Sequence, residues 1–382
     1  MPCNATIRET GFRNFPKSVC SPMPARKKSH PDSSPQNATR TTIADVARVA
    51  GVSKATVSRF LNHRETLLTK EIATRVEVAI AGLAYSPSPM AQALKRGRSR
   101  LIGLVVADVT NPFSVAVLRG AEKACQEAGY LLMLFNLGND SRRESEAIDA
   151  LTGYQVEGFI LNTLGGDNKP AAQAARHGKP VVLVDRRHYG MQADFVSLDN
   201  VSAVRLGITH LVEAGYLELL FVSEPVKNVS SREEREVAFR TFVADAATMG
   251  PGLRGATFES TGSDQNALDE ALRSLRQRAG KRLPGVMSGN AVATLRVVAA
   301  ITRLGWKLGT DIGLMGFDET EWSPYVGPGL STIEQPTEEL GRIAAGCLIE
   351  RLKGLELPPR QIFLSGRLVP RGSSIPAGNQ AS

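Results

Sequence analysis

Cysteine is scarce and badly placed for chemistry. Four occur in 382 residues, and Cys3, Cys20, Cys125 and Cys347 have neither metal-ligand spacing nor the pattern of a disulfide framework, so they are read as reduced thiols and no metal is expected. The five histidines (His30, His63, His177, His188 and His210) do not accompany a serine or cysteine nucleophile motif. No GxGxxG opens a helix after the first strand, and no glycine-rich loop ends in Lys-Ser/Thr. Neither a catalytic residue nor a cofactor is expected. No run of eighteen or more apolar residues occurs, and the opening MPCNATIRETGFRNF lacks a hydrophobic signal core. The expectation is a cytoplasmic protein with no membrane partner.

What is present is charge, unevenly spread. Residues 1–40 hold seven Lys and Arg against two acids, and residues 41–100 ten against four. The first hundred residues are therefore +11, and the rest about −3 against a total of +8. A basic front on a mildly acidic body suits a chain whose front alone meets phosphate. Charge alone fits a membrane surface or RNA equally well. Residues 1–40 are rich in Ser, Pro, Asn, Lys and Arg and are read as a disordered basic tail; Met23 is an alternative start.

Thr42 to Asn62, TIADVARVAGVSKATVSRFLN, separates these readings. Thr42 and Asp45 form a helix cap, and Ile43, Val46, Ala47 and Ala50 recur at helical spacing. Gly51 ends that helix and Val52 fills the turn. Ser53 caps a second helix whose buried side is Val57, Phe60 and Leu61, leaving Lys54, Ala55, Ser58 and Arg59 outward. A helix with its amino end in the major groove reads base edges with such residues, Arg59 being suited to guanine, while Thr56 and Asn62 suit phosphates. The competing reading is an ordinary helical hairpin with a solvated face. A third helix is expected from Thr69 to Ala84, with Ile72, Val76, Ile80 and Leu83 on one face. SPSPMAQALKRGRSR follows, with a run from Met90 to Leu94 too short to be helical unless supported, by DNA backbone for example.

From Leu101 apolar runs alternate with amphipathic helices, which predicts parallel sheets covered on both faces. LIGLVVAD, YLLMLFN, GFILN and PVVLVD are four strands; LELLFVS, ATFES, GVMSGN and DIGLMGFD are four more. Ligands of open parallel sheets sit beyond the strands' carboxyl ends. There the first half offers Asp108, Asn111, Phe113, Asn136, Asn162, Thr163, Asp185 and Arg186, and the second Ser223, Asn290 and Asp318. Strand ends are commonly polar turns and caps, so the set argues better than any member.

The run from Thr42 through Arg100, continued by VADVTNPF, GFILNT, VDRR and STIEQP, resembles the LacI/GalR family of bacterial transcription regulators over about residues 41–375. The resemblance implies an all-α helix-turn-helix headpiece plus hinge helix, joined to an α/β two-lobed periplasmic-binding-protein-like domain of two doubly wound parallel sheets. Its expected divisions are a tail at 1–40, a DNA-binding domain at 41–86, a hinge at 87–100, an effector-binding and dimerisation domain at 101–375 whose chain crosses between lobes, and a tail at 376–382. It implies a repressor of pseudo-palindromic double-stranded operator DNA, nucleoid-associated when bound. DNA contacts would come from Thr42, Ser53, Lys54, Ala55, Thr56, Ser58, Arg59 and Asn62, and in the hinge from Ala91, Gln92, Leu94 and Lys95, Leu94 being the wedge in the minor groove. Arg235, four residues before Phe239, would hold the effector; Asp185 and Asp318 would take hydroxyls. Asn290 fits an Asn-Asp pair whose aspartate is here Ala291.

LKRGRSRLIG, NPFSVAVLRG, VDRR, SEP before SSREER, and DETEW are most similar to 2-ketogluconate utilisation repressors. A small anionic sugar, 2-ketogluconate acting as inducer, is the expected effector, and Trp322 stacks on it or plugs the interface between domains. Another sugar, or a corepressor, is the alternative. Helices Val115 to Ala128 and Val292 to Leu304 are the expected homodimer contacts. IPAGNQAS is too short and polar for a tetramerising coil. A periplasmic sugar-binding protein, the competing class, would have no use for residues 42–100.

Overall fold

A computed structural model describes residues 41–62, 68–87, 98–165, 169–176, 178–249 and 252–376. The chain divides after Pro87 into two compact units. The segment expected to form the hinge helix, with Ala91, Gln92, Leu94 and Lys95, lies outside the described residues.

The first unit contains α1 (Ile43–Ala50), α2 (Lys54–Leu61) and α3 (Lys70–Gly82). Asp45 accepts from the Thr42 amide at 3.0 Å and its hydroxyl at 2.7 Å, closing the start of α1. Gly51 ends that helix at φ +65°, a left-handed conformation that side chains resist. The Ser53 hydroxyl accepts from the Thr56 amide at 3.1 Å and starts α2 within three residues. Val46, Ala47, Ala50, Val57, Val76 and Ala79 form the core between the three helices. The third helix ends at Gly82, two residues short of the expected Ala84, which takes φ +47° as the Tyr85 amide turns back to the Ile80 carbonyl.

The second unit is two lobes of one plan. Lobe 1 stacks β1 (Leu101–Val106), β2 (Leu131–Asn136), β3 (Gly158–Asn162), β4 (Val181–Val184), β5 (Asp194–Leu198) and β11 (Gln361–Leu364) in the order β11-β5-β4-β3-β1-β2. Lobe 2 repeats the pattern as β12-β10-β9-β8-β6-β7, from β6 (Glu218–Ser223), β7 (Arg254–Glu259), β8 (Gly285–Ser288), β9 (Gly313–Phe317), β10 (Ser331–Glu334) and β12 (Arg367–Val369). Both sheets are sandwiched, so the middles of β1, β3, β6 and β8 are apolar on both faces.

The structure amends the expected strands. β5, β10, β11 and β12 were not among the eight anticipated, and β12 runs antiparallel to β10, pairing Val369 with Thr332, so the second sheet is mixed. The chain passes between lobes three times: after β5 into α7 (Asn200–Glu213), after β10 into α11 (Thr337–Leu352), and between β11 and β12. Helices α4 (Pro112–Glu127) and α11 cross almost backbone to backbone in lobe 1. A Cβ on Gly120 would stand 1.8 Å from the Glu338 carbonyl oxygen, and one on Gly341 2.1 Å from that of Val117. The remaining covering helices are α5 (Glu144–Gly153) and α6 (Lys169–Arg176) in lobe 1, and α8 (Ser230–Met249), α9 (Gln265–Ala279) and α10 (Ala291–Arg303) in lobe 2.

Candidate functional site

In the first unit Val57 holds α2 against the core, leaving Ser53, Lys54, Ala55, Arg59 and Asn62 exposed and Thr56 and Ser58 half-buried. Thr56 and Ser53 share a hydroxyl contact of 2.9 Å, and Asn62 folds back onto the Ser58 carbonyl at 2.6 Å. Thr42 is exposed at the start of α1. The side chains of Lys54 and Arg59 make no hydrogen bond or ion pair among the described residues, and both residues are exposed, so their charge faces solvent.

In the second unit the strand ends converge on Arg235, which projects from the first turns of α8 and is 3% exposed. Its Nε donates to Asn200 Oδ1 at 2.8 Å, Nη1 to the Gly289 carbonyl at 2.7 Å, and Nη2 to Gln335 Oε1 at 3.3 Å. The guanidinium also lies 4.1 Å from the centre of the Phe317 ring. Two aspartates flank it. Asp185 follows β4 and lies 3.7 Å from Arg235 as an ion pair; Asp318 follows β9, the equivalent strand of lobe 2. Both adopt positive φ, 66° and 71°, a strained conformation in which the two lobes aim like residues into one place. Burial pushes the Asp318 carboxyl up, although Arg235, the Ala291 amide and Gln335 draw it down. Burial presses Arg235 in the opposite sense, downward, against Asp185 and Asp318.

Around this centre Ser231 donates its hydroxyl to Asp185 Oδ2 at 3.1 Å, from lobe 2 to lobe 1. Arg186 lies 3.4 Å from the same oxygen and donates to the Thr163 carbonyl at 3.1 Å. Arg232 donates to the Pro225 carbonyl at 2.9 Å and pairs with Glu224. Asn290 caps α10 by accepting from the Ala293 amide at 2.8 Å, and its amide donates to Glu224 at 2.8 Å. A cavity of about 800 Å³ beside Arg232 is lined by Glu144, Leu164 and Gly165 from lobe 1 and Pro225 and Val229 from lobe 2.

Asp185, Arg186, Arg235, Asn290 and Asp318 are thus brought together. The other expected residues stand in different company. Asn162, 1% exposed, braces lobe 1 by donating to the Val184 carbonyl and accepting from Ser114. Asp108 and Asn136 hold the loop after β1, accepting from the Thr110 and Val109 amides, and Asn111 caps α4. Phe113 belongs to the lobe 1 core. Trp322 packs on the lobe 2 core and lines a second cleft of about 770 Å³ with Thr110 and Pro112. Thr163 joins Glu144 and His188, both buried, through its hydroxyl. Sequence reasoning passed over Asn200, Gln335, Ser231, Arg232 and Glu224. SSREER and STIEQP contain three of these, but a partner for Arg235 at the crossing points is not visible along the chain.

Residues 42–88 match the family model of bacterial regulatory proteins, lacI family, and residues 208–374 that of a periplasmic binding protein-like domain. The chain is 43% identical over 339 residues to the HTH-type transcriptional regulator PtxS of Pseudomonas plecoglossicida, covering 89% of this chain and 97% of that one. It is 36% identical over 334 residues to the HTH-type transcriptional regulator KdgR of Bacillus subtilis, covering 87% and 97%. A solved lac repressor dimer bound to operator and an anti-inducer shares the fold, with a TM-score of 0.74 at 24% identity, over 88% of this chain and all of that one.

Proposed function

Because this chain belongs to the lacI family of bacterial regulatory proteins and is a transcription regulator, not an enzyme, we propose that it acts as a cytoplasmic homodimer, nucleoid-associated when bound, that represses transcription at a pseudo-palindromic operator and is released by an anionic sugar, 2-ketogluconate. The observation that carries this reading is α2, anchored by Val57 alone among its fully buried residues and presenting Lys54, Ala55 and Arg59 to solvent from a capped amino end. Such a helix fits the major groove, with Arg59 as bidentate donor to guanine. Ala91, Gln92, Leu94 and Lys95 are assigned to the minor groove, where a leucine wedge unstacks a base step and bends the duplex. Exposed Val115 on α4 and Leu295 on α10 support the assignment of those helices to the dimer contact.

The interlobe arginines and aspartates support a ligand with one carboxylate and several hydroxyls. Induction is favoured because a catabolic substrate is the natural signal to lift repression. Selection from a random duplex library tests the DNA reading: the wild type should enrich a two-fold site, and 2-ketogluconate, not a neutral hexose, should release it. Arg59→Ala should cost about 1–3 kcal/mol at the guanine positions and relax preference there. Unchanged specificity in that variant removes Arg59 from base readout, and no enriched site in the wild type sinks the operator reading.

A further inference from the structure

The chain enters lobe 1 through Arg98, Ser99 and Arg100, and each of the three meets the carboxyl end of a different helix. Arg98 Nη2 donates at 2.9 Å to the carbonyl of Leu352, the last residue of α11. The Ser99 hydroxyl donates at 2.5 Å to the carbonyl of Gln155, two residues past α5. Arg100 Nη1 lies 2.8 Å from where a Cβ on Gly129 would stand, two residues past α4. The last carbonyls of a helix lack partners within it and form the negative end of its dipole, so an arginine is drawn there. Parallel strands joined by returning helices put all three ends on one face of the lobe, at the start of β1.

The other ends of α11 and α5 lie where the lobes meet. α11 starts two residues after Gln335, which is bonded to Arg235 and Asp318. α5 starts at Glu144, which is buried and bonded to Thr163 beyond β3. The chain of α11 arrives from β10 of lobe 2, and its 16 residues span roughly 24 Å. Arg98 and Ser99 are neighbours, yet each is fastened to a different one of these helices. A shift of α11 against α5 therefore has to be taken up in the backbone ahead of β1. Little slack exists there, because Arg100 donates its amide to Glu157 at 2.7 Å and its carbonyl accepts from the Leu131 amide at 2.9 Å. Arg100 also takes φ +55°, a strained conformation that burial does not offset, since Arg98 and Arg100 are both exposed.

Resting on the reading of an operator released by a sugar acid, we propose that Arg98 and Ser99 are positioning residues of that response. They pin the entry of lobe 1 to the ends of α11 and α5, so that movement between these helices is delivered to the residues before Arg98 and is not lost in loose chain. Arg98 has the larger share, because the helix it holds comes from the other lobe. Removing the two contacts leaves both binding functions in place and disconnects one from the other.

The test uses the full chain and the duplex enriched by selection, with operator affinity measured by fluorescence anisotropy with and without saturating 2-ketogluconate, and 2-ketogluconate affinity by calorimetry. The wild type should lose operator affinity roughly 5- to 150-fold when the acid is added. Arg98→Gln and Ser99→Ala should each reduce that factor by roughly 2- to 30-fold while binding the acid as the wild type does, and the double variant should bring it close to one. Arg98→Lys, whose ammonium keeps a donor for the Leu352 carbonyl, should recover part of the response. Lys353→Gln is the control for charge: it removes an exposed cation beside Leu352 and should change operator affinity equally in both arms, leaving the factor intact. A double variant that is released as fully as the wild type overturns the inference and leaves the repressor reading standing. So does a loss of response matched by an equal loss of affinity for the acid, which would place the effect in ligand binding. A wild type that binds the duplex but is not released by the acid sinks the effector reading and this inference together.

Discussion

Asp45 closes the amino end of α1 with one exposed carboxylate. The Arg48 guanidinium, then the Thr42 hydroxyl and amide, hold it down from the usual 3.8 to about 2. A folded-state value below the unfolded one means the carboxylate stabilises the folded form at every pH above 3.8, and that this is lost as pH falls from there through about 2. The melting temperature of the first unit, followed by circular dichroism, should therefore fall across that window in the wild type. Asp45→Asn should flatten the dependence; an unaltered slope would mean the cap contributes nothing. At the same scale Thr42, Asp45, Gly51 and Ser53 were legible in the sequence because caps and turns act over three or four residues. Arg235 was legible only as a resemblance, since Asn200 and Gln335 lie 35 and 100 positions away.

Among the elements, the crossing of α4 and α11 is the least tolerant of change. Gly120 and Gly341 let two helices approach until carbonyl oxygens occupy the space a methyl group would need. Gly341→Ala should destabilise the second unit by about 1–3 kcal/mol, toward the upper end because the obstacle is backbone. Urea denaturation measures this. A variant as stable as the wild type would show that the helices can separate freely. The strands that escaped sequence reading did so for physical reasons. Asp194 opens β5 as a fully buried carboxylate, which no apolar pattern announces, because its charge is met by Arg351 and Arg360 from far along the chain. β12 has three residues and β11 alternates exposed with half-buried positions, too little of a run in either case. Of the eight strands readable directly, β1, β3, β4, β6, β8 and β9 are buried within their sheets, while β2 and β7 are edge strands without a buried residue.

For the molecule as a whole, the proposed induction requires the effector to bind the DNA-free form more tightly than the operator-bound form. A coupling of about 1–3 kcal/mol weakens operator binding roughly 5- to 150-fold and must weaken effector binding by the same factor when operator is present. Titrating 2-ketogluconate with and without saturating operator checks the equality. Identical affinities in the two titrations would leave the ligand without any means of control.

The three passages between the lobes govern how the chain can be made. Lobe 1 is finished by α11 and β11, and lobe 2 by β12, all of which come after residue 336. On the ribosome, therefore, neither half can close its sheet while residues beyond 336 remain in the exit tunnel. The two must complete almost together, and a nascent chain cut short before that point leaves both with an open edge for chaperones or proteases to find.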